Sequence, residues 1–445
     1  MNASGTAMRF LANLGLLLLL VAVLAVWVML PWPGAVVLLL LIGAWLAFTR
    51  RGRQAASVAS VGLSTLRQRV GASAVIVIGI AGVVGVLVAL LAMAEGYSQT
   101  LRATGSADTA IVMRGGSSAE VTSVLDRDSA VQIAQAPGIA HDAKGDPVAS
   151  SELVVAANLP VRGGGPNDEG SVQLRGVGDA AWAVRPQVRI VEGRRFTPGL
   201  RELIAGKGAA HQFKGLVPGQ TVRLGAQQWQ VVGVFASGDA MESEIWGDAA
   251  VVADTYRRGS SRAAVTVKLT DPQAYASFKS ALESNPQLKV DASTTNDYFA
   301  RQSENVTKVL RIIGIVVGAI MAIGAMFGAL NTMFAAVASR AREIATLRAI
   351  GFPGLPVVVA VMLETMLLAL AGGVIGGLVA WALFNGYSAS TMASGSVGQL
   401  HFELKVTPEL LWTGLKWALA IGFIGGLFPA VRAARLPITA ALREL

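Results

Sequence analysis

The sequence predicts a membrane α-helical bundle of six spans, with an extracytoplasmic α+β domain inserted between spans three and four. Of its 445 residues, 53% are hydrophobic and only 15% are charged, which is more apolar than a soluble protein. A membrane span needs about 20 mostly apolar residues. Such runs occur at about 10–30, 33–49, 71–94, 312–337, 356–384 and 408–430.

The long polar stretch at 95–307 has ordinary globular composition and is large enough for a core of its own. It contains 21 Lys and Arg against 23 Asp and Glu, whereas the rest of the chain has 16 basic and 5 acidic residues. The net charge of +9 therefore belongs to the membrane part, and this excludes a nucleic-acid-binding interpretation of the high isoelectric point.

The basic residues of the membrane part set its predicted orientation. Basic residues near span ends favour the cytoplasmic side, so both termini and the loop between spans four and five are predicted to be cytoplasmic, with the large domain outside. The chain has no cysteine, so that domain cannot depend on disulfides. The residues that set the orientation are Arg9, Arg50, Arg51, Arg53, Arg67, Arg69, Arg340, Arg342, Arg348, Arg432, Arg435 and Arg443.

The first 70 residues predict a transmembrane hairpin at 1–50 and an interfacial helix at 51–70. A cleaved signal peptide is the alternative for the first run, but that run is long and leads through PWPG straight into a second one. In the second segment, apolar residues alternate with Arg and Gln at helical spacing, which favours a helix at the cytoplasmic interface over an exposed linker. Those apolar residues are Val58, Val61, Leu63, Leu66 and Val70.

The domain at 95–307 reads as strands and helices in mixed order. ADTAIVMRG, SSELVVAANL, AAVTVKL and LKVDAST predict strands, DSAVQIAQAPG predicts a helix, and QTVRLGAQQWQVVGVF predicts a hairpin about Gly225. DPQAYASFKSALESNP predicts a helix with Asp271 as N-cap and Pro272 in its first position. Together they predict an αβ subdomain closed from two chain segments, with a β-rich insertion at about 160–258.

Two stretches that join this domain to the membrane, at about 95–106 and 293–310, predict a stiff helical stalk. Neither YSQTLRA nor TNDYFARQSENVTKVLRII has an internal Pro or Gly, and a flexible linker would absorb displacement. Plain tethers are the alternative. The stalk residues fall on two stripes, one with Tyr298, Arg301 and Asn305 and the other with Phe299, Gln302 and Val306.

No catalytic or metal-binding pattern is present in the sequence. A G-x-x-x-x-G-K-[ST] phosphate loop is absent. His141, His211 and His401 match no metal or triad spacing and are predicted to be surface residues. The chain is therefore predicted not to be an enzyme and to hold no cofactor or metal.

Spans five and six carry polar or small residues with a predicted packing role. Glu364 is predicted to be a structural residue facing the bundle, with ion coupling as the alternative, and Lys416 to snorkel outward. Two interleaved small-xxx-small pairs predict close helix packing in a bundle or dimer. They are formed by Gly372, Gly373, Gly376 and Gly377.

The segment REIATLRAIG, 342–351, is a short charged helix between spans four and five. Ile344, Leu347 and Ile350 share one face, and Gly351 with the following Pro353 ends the helix. On the wheel Arg342 points away from that face, and Arg348 borders it. A helix tied at both ends to spans predicts a lever that inserts into a partner's groove at a contact comprising Arg342, Glu343, Ile344, Leu347, Arg348, Ile350 and Gly351.

The segment ASRAREIATLRAIGF is similar to the cytoplasmic segment of FtsX/MacB-like permeases of ABC transporters. Further likeness lies in Glu364 followed by AGGVIGG, in the C-terminal GGLFPAVRAARLPITAALREL and in WQVVGVFASGDAMESEIW of the outer domain. The resemblance covers about 55–445. The hairpin before residue 50 departs from the family's four spans, and MacB itself has a fused ATPase domain that this chain lacks.

The resemblance implies a multi-pass protein of the bacterial inner membrane, with transmembrane spans at 308–430, a coupling helix at 340–352 and a tail at 431–445. It implies a second permease copy or related chain and a cytoplasmic ABC ATPase dimer that binds ATP and Mg²⁺. It implies mechanotransmission that expels a substrate from the periplasm, with the need for an adaptor and outer-membrane channel left open. A transducer that controls a cell-wall hydrolase, like FtsX, is the alternative, although about 210 outer residues favour transport. A secondary transporter using Glu364 is the third hypothesis.

Overall fold

The computed structural model describes residues 22–23, 26–66, 70–165, 168–392 and 398–435. Contacts divide the chain into two compact units. The helical unit comprises 1–92, 311–385 and 406–445, and the outer unit comprises 93–310 and 386–405.

The helices in the described part of the chain are numbered in chain order. They are α1 (Trp32–Phe48), α2 (Arg50–Leu66), α3 (Val70–Thr104), α4 (Arg127–Ala134), α5 (Ala181–Val184), α6 (Lys207–Gln212), α7 (Ala249–Thr255), α8 (Ala274–Glu283), α9 (Thr295–Ser339), α10 (Ala341–Ala349), α11 (Gly354–Phe384) and α12 (Pro408–Arg435). Short 3₁₀ helices lie at Glu120–Thr122 and Ala240–Ser243.

The strands are numbered in the same way. They are β1 (Thr109–Arg114), β2 (Ala149–Pro160), β3 (Glu169–Val177), β4 (Arg189–Gly193), β5 (Glu202–Gly206), β6 (Thr221–Leu224), β7 (Gln227–Ala236), β8 (Glu244–Asp248), β9 (Ala264–Lys268), β10 (Val290–Thr294), β11 (Ser388–Met392) and β12 (Gln399–Glu403).

Four helices among the described residues are long and apolar enough to cross a membrane by themselves, namely α3, α9, α11 and α12. They match predicted spans three to six. The second predicted span corresponds to α1, which has 17 residues and is bent by 96° from the start of α2. The first predicted span lies mostly outside the described residues, so the count of six remains a prediction.

The bend between α1 and α2 is built at Thr49. The Thr49 backbone is extended, and the Thr49 hydroxyl accepts from the Gly52 N–H at 2.9 Å. The hydroxyl thereby caps the N-terminus of α2. A Cβ atom at position 52 would lie 2.1 Å from the Trp45 carbonyl oxygen, so only glycine fits there. The interfacial helix predicted at 51–70 is therefore a separate helix, although its place at an interface remains a prediction.

A single ten-stranded sheet forms the centre of the outer unit. Nine strands follow the order β10-β1-β9-β2-β3-β8-β5-β7-β4, and β6 pairs with β7. The long strand β2 joins the two halves of the sheet: residues 149–152 pair with β9, and residues 153–160 pair with β3. We call β10, β1, β9 and the start of β2 the first half, and the remainder the second half.

Each half of the sheet has its own hydrophobic core. The first half packs α4 and α8 through buried side chains that include Ile133, Phe278 and Leu282. The second half packs a larger core that includes Phe213, Trp229 and Val252. The first half of the sheet is thus built from one chain segment that precedes the second half in the sequence and one that follows it.

Two local predictions have different outcomes. The β6–β7 hairpin turns at Gly225, whose φ is +59°, as predicted. The helix predicted to start at Pro272 instead starts at Ala274, with Gln273 as N-cap, so the assignment of Asp271 as N-cap is wrong. The Asp271 side chain still accepts from the Ala274 N–H at 2.9 Å, and the Asp271 carbonyl accepts from the same amide at 3.2 Å.

The β11–β12 hairpin belongs to the outer unit, although the sequence placed 386–405 within the membrane part. The His401 N–H donates to Ser243 Oγ at 2.8 Å, and the Phe402 ring meets the Tyr97 ring edge-on at 5.6 Å. A Cβ atom at position 96 would lie 2.1 Å from the Glu403 carbonyl oxygen, so Gly96 permits close contact between α3 and β12. Two five-residue strands are too short for hydrophobic alternation to reveal such a contact.

Candidate coupling site

The helix predicted at REIATLRAIG is α10, which follows α9 after Arg340 and precedes α11. It ends as predicted, because Gly351 has a φ of +102°, a conformation that glycine adopts at little cost. The Phe352 N–H donates to the Leu347 carbonyl at 3.1 Å and closes the last turn. The chain therefore turns sharply from α10 into α11.

The apolar face of α10 is divided between the interior and the surface. Ile344 is only 6% exposed and packs inside its own unit beside a cavity of about 50 Å³, whereas Ile350 is 68% exposed. Leu347 is half-buried. The expectation that Ile344 inserts into a partner is therefore wrong: the helical unit itself covers that side chain.

The exposed surface of α10 is formed by Arg342, Glu343, Thr346 and Ile350, with Arg348 half-buried. The Thr346 hydroxyl donates to the Arg342 carbonyl at 2.9 Å, within the helix. This surface combines both signs of charge with one apolar side chain. It suits a small polar interface with an apolar centre.

Glu364 forms an ion pair that connects the start of α10 to α11. Arg340 Nη1 lies 2.8 Å from Glu364 Oε2, and Arg340 Nη2 donates to the Gly62 carbonyl at 3.0 Å. The two side chains are 11% and 8% exposed. Sequence reasoning missed this charge pair with Arg340, and the structural role of Glu364 stays a prediction.

The four glycines of α11 face two different helices. A Cβ atom would lie 2.8 Å from the Val77 carbonyl oxygen at position 372 and 2.4 Å from the Ala81 carbonyl oxygen at position 376, so Gly372 and Gly376 face α3. At Gly373 and Gly377 it would meet side chains of α12, namely Ala418 Cβ at 2.8 Å and Leu411 Cδ2 at 3.3 Å. The contact they make in the described structure is within the bundle.

The Lys416 side chain contacts the turn before α1, whereas the sequence predicts only that it snorkels outward. Its Nζ lies 2.5 Å from the Val28 carbonyl oxygen, and the Trp27 indole N–H donates to the Lys416 carbonyl at 2.9 Å. The last turn before α1 is therefore attached to α12.

The predicted stalk residues lie at the start of α9. The predicted stripe with Phe299, Gln302 and Val306 is buried or half-buried, whereas the stripe with Tyr298, Arg301 and Asn305 is not buried as a whole. Tyr298 is 2% exposed, whereas Arg301 and Asn305 are exposed. The buried face instead contains Tyr298, Phe299 and Ser303, with Gln302 half-buried beside them. Both the buried set and the predicted stripe have helical spacing, so spacing alone does not decide which face of α9 is buried.

Two of the three histidines meet in the outer unit. The rings of His211 and His401 lie 6.0 Å apart and line an open cavity of about 770 Å³. Burial, followed by the nearby His211, lowers the pKa of His401. Among the described residues, no group of three or more metal-ligating side chains gathers at one point.

A cluster of buried charges lies where the two halves of the outer sheet meet. Arg175 on β3 is 1% exposed and binds three carboxylates, with Glu120 at 2.6 Å, Glu152 at 2.7 Å and Glu244 at 2.7 Å. Arg185 also pairs with Glu152. We call these five residues the Arg175 cluster; their partners are far apart in sequence, so spacing could not reveal them.

The charges of the Arg175 cluster stabilise one another. Burial alone would lower the pKa of Arg175, but the surrounding carboxylates raise it well above its ordinary value. Burial likewise would raise the pKa of Glu152, but Arg185 and Arg175 outweigh it and hold that pKa below its usual range. Arg175 and Glu152 therefore stay ionised although they are shielded from water.

Family models match the chain in two parts. The model of the MacB-like periplasmic core domain matches residues 73–285, and the model of the FtsX-like permease C-terminal matches residues 315–438. The second match includes α10, the Arg340–Glu364 pair and the glycines of α11.

Curated relatives are similar at low identity. YknZ of Bacillus subtilis (strain 168), described as an uncharacterized ABC transporter permease, is 24% identical over 62% of this chain and 71% of its own length. The macrolide export ATP-binding/permease protein MacB of Photorhabdus laumondii subsp. laumondii is 29% identical over 51% of this chain. MacB 2 of Yersinia pestis bv. Antiqua (strain Antiqua) is 25% identical over 83% of it. The matches span 36% and 55% of those two MacB proteins.

Solved structures also resemble part of this chain. The periplasmic region of MacB from Actinobacillus actinomycetemcomitans shares 18% identity, covers 44% of this chain and 93% of that one, and has a TM-score of 0.34. The extracellular domain of YknZ shares 16% identity, covers 42% of this chain and 100% of that one, and has a TM-score of 0.32.

Proposed function

The chain belongs to the FtsX/MacB-like permeases of ABC transporters, and we propose that it is the permease subunit of a mechanotransmitting transporter. In this proposal a separate cytoplasmic ATPase drives movement of the outer unit. That movement expels or extracts a substrate from the periplasm or the outer leaflet of the inner membrane. Both termini are cytoplasmic, and the outer unit is periplasmic.

The observation that carries the proposal is the continuity of α9. This helix has 45 residues, or about 68 Å at 1.5 Å per residue, which is more than twice the thickness of about 30 Å of a bilayer core. It starts directly after β10 of the outer sheet and ends one residue before α10. A displacement of α10 can therefore be transmitted through one unbroken helix to β10.

The attachment of α10 supports the same mechanism. Arg340 binds both α11, through Glu364, and α2, through the Gly62 carbonyl. Because the guanidinium bonds two helices in fixed directions, a push on α10 reaches the helices instead of deforming a loose loop. The exposed surface at Arg342, Glu343, Thr346 and Ile350 is where the ATPase binds.

The ATP site is assigned to a partner protein. In our proposal ATP and Mg²⁺ bind to the ATPase dimer, which agrees with the lack of a phosphate loop in these 445 residues. The MacB relatives are ATP-binding/permease proteins by name, with both functions in one protein. In our proposal the same two functions are divided between chains.

A stripe on α9 supports a second permease copy as partner. Ile313, Val316, Ile320, Ile323 and Phe327 are 47–67% exposed and follow alternating spacings of three and four residues. This spacing is typical of a helix that packs along another helix. Only 22% of the most apolar part of α9 is buried, against 39–44% in α3, α11 and α12. The partner helix is α9 of a second copy or of a related chain.

Affinity purification of the full chain tests the assignment to an ATPase partner. We expect an ABC ATPase to co-purify, and Ile350→Asp to reduce its recovery at least tenfold. Val191→Asp is the control, because Val191 is an exposed apolar residue of the outer unit at 59% exposure. Full ATPase recovery with Ile350→Asp would place the contact elsewhere.

A flexible insertion tests the stalk. Gly-Ser-Gly-Ser inserted after Gln302 should abolish ATP-driven movement of the outer unit without affecting ATPase binding, because a flexible break absorbs displacement. The same insertion after Lys144, in an exposed turn of the outer unit, is the control. Movement is read as a change in distance between spin labels on introduced cysteines, since the chain has none of its own. Unchanged movement after the first insertion would exclude a rigid stalk.

The second copy is tested by crosslinking. A cysteine in place of Ile320 should give a disulfide-linked dimer in the membrane, whereas one in place of Leu378, which is 60% exposed on α11, should not. The alternative function, a transducer that controls a cell-wall hydrolase, shares these movements. It would be indicated by ATP-dependent activation of a hydrolase with no substrate moved.

A further inference from the structure

The Arg175 cluster lies where every element of the outer unit that continues towards a membrane helix comes together. Beside it is a small cavity lined by Leu101 of α3, Phe299 and Gln302 of α9, and Gly398 and Leu400 around β12. The same cavity is lined by Glu120, Arg175 and Glu244 of the cluster. The ends of both stalk helices and the β11–β12 hairpin thus reach the same group of charges.

The cluster also bridges the two halves of the sheet. Glu120 follows β1 in the first half, and Glu152 is the β2 residue at which pairing passes from β9 to β3. Arg175 and Glu244 lie on β3 and β8 of the second half. Arg175 binds all three carboxylates, so the guanidinium connects the halves directly.

Two of the carboxylate residues that bind Arg175, Glu244 and Glu120, take part in further hydrogen bonds. Glu244 accepts from the Gln173 amide at 2.6 Å and the Trp246 indole N–H at 2.9 Å. Glu120 is approached from α9, since its backbone N–H donates to the Tyr298 hydroxyl at 3.3 Å. Tyr298 is 2% exposed, so its place against Glu120 is fixed by packing. Tyr298 is therefore the stalk residue that positions the first-half carboxylate.

A merely stabilising role does not account for five buried charges. Removing ions from water is costly, and apolar residues of similar volume often stabilise a fold as well or better. Charge-assisted bonds to a planar guanidinium are directional, so a shift of one carboxylate changes the geometry of the others. Such a group is suited to passing a displacement between elements.

We propose that the Arg175 cluster is the joint that passes movement of the stalk helices to both halves of the outer sheet, with Tyr298 as the positioning residue. This inference rests on the proposed function. When α9 moves, Tyr298 displaces Glu120, and Arg175 transfers the displacement to Glu152 and Glu244. The two halves then change their relative position at β2.

The test compares two tyrosines that each lose one hydroxyl. Tyr298→Phe removes the contact with Glu120 and keeps the buried ring. Tyr275→Phe is the control, because the Tyr275 hydroxyl donates to the Ala292 carbonyl at 3.0 Å, away from the cluster. Spin labels are placed on cysteines at Ala276 on α8 and Arg223 on β6, one on each half and both exposed.

Distances between the labels are measured in the full chain bound to its ATPase, without nucleotide and with ATP and vanadate. We expect the unmutated complex to show a shift in distance, and Tyr298→Phe to reduce that shift to half or less at unchanged melting temperature. Glu120→Gln, which keeps an acceptor but loses the charge, should act in the same direction. Tyr275→Phe should retain the full shift.

The outcomes separate the two proposals. A full shift with Tyr298→Phe, equal to that of Tyr275→Phe, overturns the joint while leaving the proposed function standing. No shift in the unmutated complex overturns the proposed function and the joint with it. If Tyr298→Phe lowers the shift only in proportion to a lower melting temperature that Tyr275→Phe shares, the role of Tyr298 is structural and the joint is also overturned.

Discussion

Removing the charge at Glu364 perturbs the ion pair that attaches the start of α10 to α11. Arg340 and Glu364 are 11% and 8% exposed, so loss of either leaves its partner charged and largely shielded from water. Breaking a buried pair in this way costs about 3–5 kcal/mol. Glu364→Ala and Arg340→Ala are therefore both expected to destabilise the helical unit by that order.

Glu364→Gln is a milder change with a distinct expected size. In the unmutated chain, Arg340 Nη1 donates to Glu364 Oε2 at 2.8 Å. The glutamine amide oxygen can still accept from Arg340 Nη1, but that hydrogen bond no longer has a charged acceptor. Charged hydrogen bonds contribute about 1.5–3 kcal/mol and neutral ones about 0.5–1.5 kcal/mol, so the expected loss is about 1–1.5 kcal/mol. The double variant Arg340→Met/Glu364→Leu removes both charges and should be more stable than either alanine variant.

The assay is thermal unfolding of the purified full chain in one detergent, followed by tryptophan fluorescence. The expected order of midpoints is unmutated chain, Glu364→Gln, and then the two alanine variants, with the double variant above both. If the effects of Arg340→Ala and Glu364→Ala simply add in the combined alanine variant, the pair is not coupled and the reasoning is refuted. Normal stability of Glu364→Gln with abolished transport would instead indicate proton or cation coupling.

Two further predictions follow from close packing and from a surface charge pair. Gly376→Ala should lower the unfolding midpoint by the equivalent of about 1–3 kcal/mol, because the new Cβ atom would lie 2.4 Å from the Ala81 carbonyl oxygen. Gly79→Ala is the control and should not lower the midpoint, because a Cβ atom there has nothing within 4 Å. Equal midpoints for the two variants would contradict close packing at Gly376. The hydrogen bond from Arg194 lowers the pKa of Glu202 from 4.5 to about 2, so its stabilisation is present above pH 4.5 and is lost as pH falls towards 2. In melts across that range, Glu202→Gln should lose less stability than the unmutated chain, and parallel curves would exclude the pair as a contributor.

Much of the architecture can be predicted because its signals are local. Spans three to six are long apolar runs, the β6–β7 hairpin turns at a glycine, and Gly351 ends α10 where a left-handed residue is needed. The end of a helix and the alternation of a strand depend on neighbouring residues. Such features can be read from one stretch of sequence.

The missed features depend on residues that are distant in sequence. Arg340 and Glu364 are 24 residues apart, and Arg175 is 69 residues from Glu244. The burial of Ile344 is set by its own helical unit, which a helical wheel cannot distinguish from a partner's groove. Periodicity identifies an apolar face but does not identify what covers it.

The chain enters and leaves the large sheet of the outer unit at neighbouring strands, and this has a consequence for the evolution of the molecule. β1 follows α3 after a short turn, β10 leads directly into α9, and these two strands pair antiparallel. The Ser106 N–H donates to Thr295 Oγ1 at 2.9 Å and closes the junction. Everything from 105 to 294 is therefore a cassette with adjacent ends, of the kind that tolerates transplantation between hosts. Recombination could replace this cassette in a single step, provided that the β11–β12 hairpin, which lies outside the cassette in the sequence, packs against the replacement.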